Sequence, residues 1–137
     1  MAKLTKSYRP SEDEPFMNAK QRAYFKRLLL DWRKDLLNET GLTLKHLQEE
    51  TVQAADIADR AAAETDRALE LRTRDRERKL IQKIDEALGR IEDKTYGYCE
   101  ETGEQIGLRR LEARPIATLS LEAQERHERR ERVYRDD

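Results

Sequence analysis

Apolar side chains recur at helical spacing in two long stretches of the chain. Steps of four, three and four residues separate the members of the first set, Phe25, Leu29, Trp32 and Leu36. Steps of three, four and three residues separate those of the second set, Ile81, Ile84, Leu88 and Ile91. This spacing is typical of a coiled-coil seam. The two seams can face each other if the chain turns back on itself, so the pattern predicts a long antiparallel helical hairpin.

The limits of the two arms follow from the residues that break helices. Residues 18–51 and 60–94 each contain no proline and one glycine, so each stretch predicts one long helix. At about 1.5 Å per residue, such an arm is roughly 50 Å long. The convincing break between the arms is the acidic stretch Asp56–Ala61. We predict that this stretch forms the tip of the hairpin.

Capping residues mark where three of the helices begin. Asn18 is predicted to cap the first long helix, with Gln21 as its capping-box partner. Asp59 is predicted to cap the second long helix, and Ser120 a last helix from Leu121 to about Tyr134.

The chain changes character between the second arm and this last helix. Residues 96–107 hold three of the five glycines and predict a small turn-rich knot. A short helix is expected from Leu108 to Arg114, because it must stop before Pro115. An apolar cluster is expected to hold the knot together: Tyr96, Tyr98, Ile106, Leu108, Leu111, Ile116 and Leu119.

The predicted fold class is therefore mostly α. It comprises a long antiparallel coiled-coil hairpin, a small globular part with a degenerate zinc-ribbon-like knot, and a C-terminal helix. We predict an N-terminal tail over residues 1–17, the hairpin over 18–94 with its tip near 52–60, and the globular region over 95–137. The tail is expected to be ordered only where something docks it.

Composition narrows the function classes. Charged residues make up 42% of the 137 residues and the net charge is −1, so no global attraction to nucleic acid or membrane is expected. No apolar run reaches the roughly 18 residues of a membrane span, and the N-terminus lacks the apolar centre of a secretory signal. These features predict a soluble, cytoplasmic protein with no membrane partner.

The knot has the layout of a zinc ribbon whose ligands are missing. Cys99 is the one cysteine, and Thr102, Ser120 and Ala123 stand where the other three ligands would fall. Because structural zinc needs four thiolate or imidazole ligands, we predict no zinc and no other metal. Cys99 is expected to be a small buried hydrophobe, with a reactive or redox role as the alternative.

Basic residues form a stripe on the second arm. Arg72, Arg76, Lys79 and Lys83 follow one another at steps of four, three and four, and Leu80 lies beside them. Such a run is typical of a solvated helix face. The alternative is a surface that meets an anion or an acidic partner.

Three segments together carry a resemblance to a known family. They are GYCEETGEQIGLRRLEARP, the preceding ELRTRDRERKLIQKI, and the tip pattern D-x-x-D-R-A. Over residues 17 to 135 the chain resembles the DksA/TraR family. Its members typically carry C-x-x-C twice, so the chain looks like a zinc-independent DksA paralogue. We hypothesise that such a paralogue serves when zinc is scarce or thiols are oxidised.

The resemblance implies a bacterial transcription regulator that binds RNA polymerase rather than DNA. The coiled coil of such proteins enters the secondary channel of polymerase. With the co-regulator ppGpp they destabilise open promoter complexes, which represses ribosomal RNA promoters and activates several amino-acid biosynthesis promoters. By this resemblance the protein is not an enzyme and acts as a monomer.

The resemblance also assigns site residues by position. The tip residues are Asp56, Asp59 and Ala61. A further basic family position in the C-terminal helix falls on Gln124. The positions for polymerase contact and ppGpp are Arg72, Arg76, Leu80, Lys83, Arg110 and Arg114.

Three rival functions remain open. A Gre-like accessory would use the tip acids to support transcript cleavage by polymerase. A structural or chaperone-like coiled-coil adaptor would have no need of Asp56 and Asp59. Direct DNA binding is disfavoured, because acids are interleaved in every basic stretch. The sequence contains no set of residues typical of a catalytic nucleophile or a phosphate-binding loop.

Overall fold

The computed structural model describes the backbone of residues 4–53 and 57–136 and the side chains of residues 4–41 and 60–134. Its element order is α1 (Ala19–Gln53), α2 (Ile57–Asp93), α3 (Leu108–Ala113) and α4 (Leu121–Asp136). Among the described residues, one isolated antiparallel bridge joins Tyr98 to Gln105. The mostly α fold class with two long helices in succession is confirmed.

The second arm begins earlier than predicted. Asp56 lies outside the described residues, and α2 already starts at Ile57. Asp59 is therefore in the first turn of α2 rather than at its cap, which corrects the prediction. Acidic residues are favoured in the first turn of a helix, and the alanines that follow are strong helix formers, so local preference extends the helix toward the tip.

The chain divides into two compact units. One unit combines Met1–Leu29 with Glu86–Asp137, and the other is Leu30–Asp85. The three sequence segments proposed above divide the chain differently, and they stay a prediction.

In the unit Leu30–Asp85, the two helices run antiparallel. Arg33 Nε donates to Asp85 Oδ1 at 2.8 Å, and the Thr40 hydroxyl donates to Glu77 Oε2 at 2.7 Å. Seven residues forward along α1 thus correspond to eight residues back along α2, which fixes the antiparallel register. Leu36 and Ile84 of the predicted seams are buried in this unit.

In the other unit, the start of α1 is capped as predicted. Asn18 Oδ1 accepts from the Gln21 N–H at 2.9 Å. The Gln21 side chain does not complete the predicted capping box with Asn18. Its Oε1 accepts from the Met17 N–H at 2.7 Å, and its Nε2 donates to the Ser11 carbonyl at 3.2 Å. Gln21 is fully buried, because the residues before the helix fold over it.

The N-terminal segment is packed against this unit. The ring of Tyr8 meets that of Tyr24 edge-on at 6.1 Å, and Phe16 meets Tyr98 at 5.5 Å. Met17 is buried. The predicted tail is therefore ordered by contacts with the start of α1 and with the turn-rich part of the same chain.

The turn-rich part is held by most of the predicted apolar cluster. The Tyr96 hydroxyl donates to the Pro115 carbonyl at 2.7 Å, and its ring lies 5.5 Å from that of Phe25. Tyr98 departs from the prediction, because it is 37% exposed and its ring meets that of Phe16 from the N-terminal segment. The buried members are Tyr96, Ile106, Leu108, Leu111 and Ile116.

Candidate functional site

The tip residues are described only in part. Asp56 lies outside the described residues. For Asp59 the backbone is described as helix, and Ala61 is an exposed helical residue. The acidic tip therefore stays a prediction from the sequence.

The basic stripe lies on α2 in the unit Leu30–Asp85. Arg72, Arg76 and Lys83 are exposed, and Leu80 is half-buried beside them. Because α2 is continuous through this stretch, residues three and four apart share one face. The face combines exposed cations with one apolar side chain, an arrangement that suits an acidic or phosphate-bearing surface.

The other two predicted arginines lie at α3, in the unit that contains both chain ends. Arg110 is half-buried, and its Nε donates to the Leu119 carbonyl at 2.9 Å. Arg114 follows the last residue of α3 and is exposed; its N–H donates to the Arg110 carbonyl at 2.7 Å. The Leu119 contact fixes the direction of the Arg110 side chain, whereas Arg114 reaches into solvent.

The positions singled out as zinc-ribbon positions lie together. Cys99 is buried. Burial raises the pKa of its thiol, but hydrogen bonds from the Thr102 hydroxyl and from backbone groups of Ser120, Thr102 and Glu101 outweigh this effect. The pKa therefore falls from its ordinary 9.0 to about 6. Ser120 caps α4 as predicted, because its hydroxyl accepts from the Ala123 N–H at 3.3 Å.

Sequence reasoning missed a groove beside α3. It has a volume of about 420 Å³ and brings Glu12 of the N-terminal segment to the same surface as Arg109, Arg110 and Arg114. The run Leu108–Arg114 already showed three arginines close together. The sequence could not place Glu12 beside them, because that proximity depends on how the N-terminal segment packs.

Two long consecutive helices, a turn-rich part around a buried thiol, and a capped C-terminal helix define the class of protein. It is a helical-hairpin protein with a small turn-rich C-terminal part. Within the described residues, no helix is long and apolar enough to cross a membrane.

Comparison with known proteins identifies the family within this class. Residues 21–91 match the family model of the DnaK suppressor protein DksA, N-terminal domain, and residues 94–129 match that of the prokaryotic dksA/traR C4-type zinc finger. The chain belongs to the DksA family.

Relatives of known name cover nearly the whole chain. It is 72% identical over 130 residues to the RNA polymerase-binding transcription factor DksA of Caulobacter vibrioides. The match covers 95% of this chain and 92% of the relative. It is 47% identical over 125 residues to the protein of the same name from Escherichia coli, covering 91% and 83% of the two chains. These relatives are named as transcription factors, not as enzymes.

A solved structure supports the same assignment. The structure of transcription factor DksA2 from Pseudomonas aeruginosa is similar at a TM-score of 0.81 and 45% identity, covering 88% of this chain and 95% of that one. At this identity the likeness extends beyond the fold to the family.

The zinc prediction was wrong. The match of residues 94–129 to a C4-type zinc finger contradicts our prediction that the protein takes no zinc and is a zinc-independent member of the family. At the four positions singled out, Cys99 carries a thiol, Thr102 and Ser120 carry hydroxyls, and Ala123 carries a methyl group. These four side chains alone do not make a set of four thiolates.

Proposed function

We propose that the protein is a bacterial transcription regulator that binds RNA polymerase and modulates promoter open complexes. The observation that carries the proposal is its 72% identity, across 92% of the relative, to the RNA polymerase-binding transcription factor of Caulobacter vibrioides. The exposed cations on α2 support it, because a protein with a net charge of −1 needs local basic surface to meet an acidic partner.

The proposed mechanism has two parts. The hairpin enters the secondary channel and carries Asp56 and Asp59 toward the active site. There the two carboxylates contact mobile polymerase elements, which lowers the lifetime of the open complex. A direct effect on a catalytic Mg²⁺ or on nucleotide phosphate is the alternative, but a regulator of promoter complexes need not touch the metal.

The second part concerns the co-regulator. In this proposal, ppGpp binds at the polymerase interface and its phosphates are held by the arginines at the assigned positions. Forked guanidinium donors match phosphate oxygens, so Arg110 and Arg114 suit this role. Under the same proposal the protein is a cytoplasmic monomer without catalytic activity, and it does not bind DNA directly. Its effect is repression of ribosomal RNA promoters and activation of amino-acid biosynthesis promoters.

In vitro transcription from a ribosomal RNA promoter tests the tip. Wild type should repress, and ppGpp should deepen the repression. Asp56→Asn combined with Asp59→Asn should abolish repression, whereas the control Asp66→Asn, an exposed acid on α2, should not. Equal repression by the double variant and wild type would move the function away from the tip.

A transcript-cleavage assay on stalled complexes separates this proposal from the Gre-like alternative. We expect no stimulation of cleavage by wild type. Stimulation that disappears in the double variant would favour the accessory role instead.

A further inference from the structure

A strip of apolar side chains lies along one edge of the unit Leu30–Asp85. On α1, Leu30 and Leu37 are 44% and 46% exposed. They lie three residues before and four residues after Arg33, which is paired with Asp85 of α2, so they share the edge of α1 that this pair marks. Exposed leucines one heptad apart have the spacing of a coiled-coil seam, here turned toward solvent.

The adjoining edge of α2 extends the same strip. Ile81 lies four residues from both Glu77 and Asp85, the two α2 residues that contact α1 in this unit. It is half-buried and level with Leu37, which lies between the matching contact residues of α1. Leu71, two heptads before Asp85, is 41% exposed. The apolar strip therefore spans both helices, as a surface for a third helix does.

Basic residues border the strip on both helices. Lys34 is exposed and lies between the two leucines of α1. On α2, Arg74 is half-buried and Arg78 is exposed. Asp85, on the same edge, is already paired with Arg33 at 2.8 Å. The border is therefore positive, although the chain as a whole has a net charge of −1.

This edge is not the one that carries the basic stripe assigned to polymerase. Arg74 and Arg78 come two residues after Arg72 and Arg76, and two residues turn an α-helix by about 200°. The two pairs of arginines therefore lie on opposite sides of α2. The positions assigned to polymerase on α2 leave the apolar strip and its basic border unused.

Charge and apolar spacing together decide what fits this edge. A second copy of the chain would bring the same cations against themselves, because a two-fold contact pairs a patch with its own copy. Nucleic acid phosphates would pair with the arginines, but they offer nothing to Leu30 and Leu37. A helix that carries leucines at heptad spacing with glutamates beside them matches both the strip and its border.

We infer that this edge is a docking site for an acidic amphipathic helix of a partner protein other than polymerase. Leucines of that helix pack on Leu30, Leu37 and Ile81. Its carboxylates meet Lys34 and Arg78. The hairpin thus has a second binding face, opposite the one assigned to polymerase, and this inference does not depend on the proposed function.

Fluorescence anisotropy with a designed acidic helix tests the inference. The probe is a labelled peptide of about four heptads, with leucine at the seam positions and glutamate beside them. Its binding to the full-length protein should weaken about tenfold in Arg78→Glu and several-fold in Leu37→Ser, as for central residues of an interface. Equal binding of a peptide with the same composition in scrambled order would show that charge alone acts and would overturn the inference.

A reversal of charge guards against misfolded variants. The counterpart peptide has lysine in place of glutamate and should not bind wild type. Lys34→Glu combined with Arg78→Glu should bind this counterpart more tightly than wild type does, because the border of the strip then carries the opposite charge. A misfolded protein cannot show such a gain, and its absence in a folded double variant would contradict the inference.

Matched controls repeat each change on the opposite side of α2. Leu69 is 54% exposed and precedes Leu71 by two residues, and Arg76 is exposed and precedes Arg78 by two. Leu69→Ser and Arg76→Glu should leave binding of the acidic peptide unchanged. Losses as large as those in Leu37→Ser and Arg78→Glu would mean that the peptide does not dock on the proposed edge.

In vitro transcription separates this face from the polymerase face. Arg78→Glu should still repress a ribosomal RNA promoter, whereas Arg76→Glu, at an assigned polymerase position, should not. Loss of repression in Arg78→Glu would place the edge in the polymerase interface, and the inference would be wrong. If wild type does not repress, the proposed function fails, and the peptide assays still decide whether the edge binds an acidic helix.

Discussion

At the scale of single residues, the N-terminal segment is held by a short chain of polar contacts. The Tyr8 hydroxyl donates to Glu14 Oε2 at 2.9 Å, and Asn18 Nδ2 donates to the same oxygen at 3.1 Å. One carboxylate therefore links the segment to the residue that caps α1. Protonation of Glu14 would therefore weaken the contacts that order the N-terminal segment.

The pKa values of this pair define a pH window. Burial, followed by the hydrogen bond to Glu14, raises the pKa of Tyr8 from 10.0 to about 12. The bonds from Asn18 and Tyr8 lower the pKa of Glu14 below 4.5. Because the pKa of Tyr8 is raised on folding, Tyr8 stabilises the fold below pH 10, and this stabilisation is lost as the pH rises toward 12. Because the pKa of Glu14 is lowered on folding, Glu14 stabilises the fold above pH 4.5, and this stabilisation is lost as the pH falls through the pKa of the folded state.

We predict that Glu14→Gln lowers the pKa of Tyr8 partway toward 10, because the contribution of burial remains while that of the charged acceptor is removed. NMR titration of ¹³Cζ-labelled tyrosines measures this pKa. Glu12→Gln, two residues away, is the control and should leave the Tyr8 pKa unchanged. A Tyr8 pKa near 12 in both variants would show that Glu14 does not govern it.

At the scale of elements, a polar contact crosses the seam between α1 and α2. Glu77 is 8% exposed, and its Oε2 accepts from the Thr40 hydroxyl, which also lies 2.9 Å from the Leu36 carbonyl. A carboxylate with so little access to water depends on its hydrogen bonds. In an apolar seam, such a pair also marks one register as the correct one.

We predict that Thr40→Val destabilises the protein by about 1.5–3 kcal/mol, the usual contribution of a hydrogen bond to a charged group. The change keeps the branched shape and removes the donor. Thr73→Val is the matched control, because Thr73 is exposed and its hydroxyl donates to the Leu69 carbonyl of its own helix at 3.1 Å. Urea unfolding followed by far-UV circular dichroism compares the two. A loss of equal size in both variants would assign the effect to helix propensity rather than to Glu77.

The helices also show which contacts can be predicted from neighbouring residues in the sequence. Asn18 and Ser120 were predicted as caps from residue type alone, and both make the expected bonds, because a cap depends on neighbours within three residues. Gln21 was not predicted to bind Met17 and Ser11, since that requires the preceding segment to fold back. The Thr40–Glu77 contact, 37 residues apart, gave no local signal at all.

The site residues divide in the same way. Spacing alone predicted that Arg72, Arg76 and Lys83 share a face of one helix, and they are exposed on α2. Spacing could not show that Glu12 lies beside Arg109, because the N-terminal segment has no periodic pattern. The prediction about zinc failed for another reason. It counted thiols at four positions, whereas the family is recognised from the whole stretch of residues 94–129.

At the scale of the molecule, one compact unit joins the first 29 residues to residues 86–137. The N-terminal segment approaches Gly97 closely, and the φ of this glycine is +94°. A Cβ added there would lie 3.1 Å from Met17 Cγ and 3.1 Å from Phe16 Cζ. Glycine is therefore needed at this position both for its backbone conformation and for the space it leaves.

A comparison of Gly97 with Gly103 separates the effect of backbone conformation from the effect of space. Gly103 also has a positive φ, +74°, but a Cβ added there meets nothing within 4 Å. Gly103→Ala should cost only the backbone strain, about 1–2 kcal/mol. Gly97→Ala should cost roughly 1–3 kcal/mol more, because the methyl group also displaces Phe16 and Met17.

Urea unfolding measures both losses, and limited proteolysis locates them. In Gly97→Ala, cleavage within residues 4–17 should become faster than in Gly103→Ala, since the displaced side chains belong to that segment. Phe16→Ala should then narrow the difference between the two glycine variants, because it removes the Phe16 part of the crowding at Gly97 and leaves only the contact with Met17 Cγ. If Gly97→Ala stays the more unstable in the Phe16→Ala background by the same margin, the segment does not pack on Gly97 as described, and its order has another source.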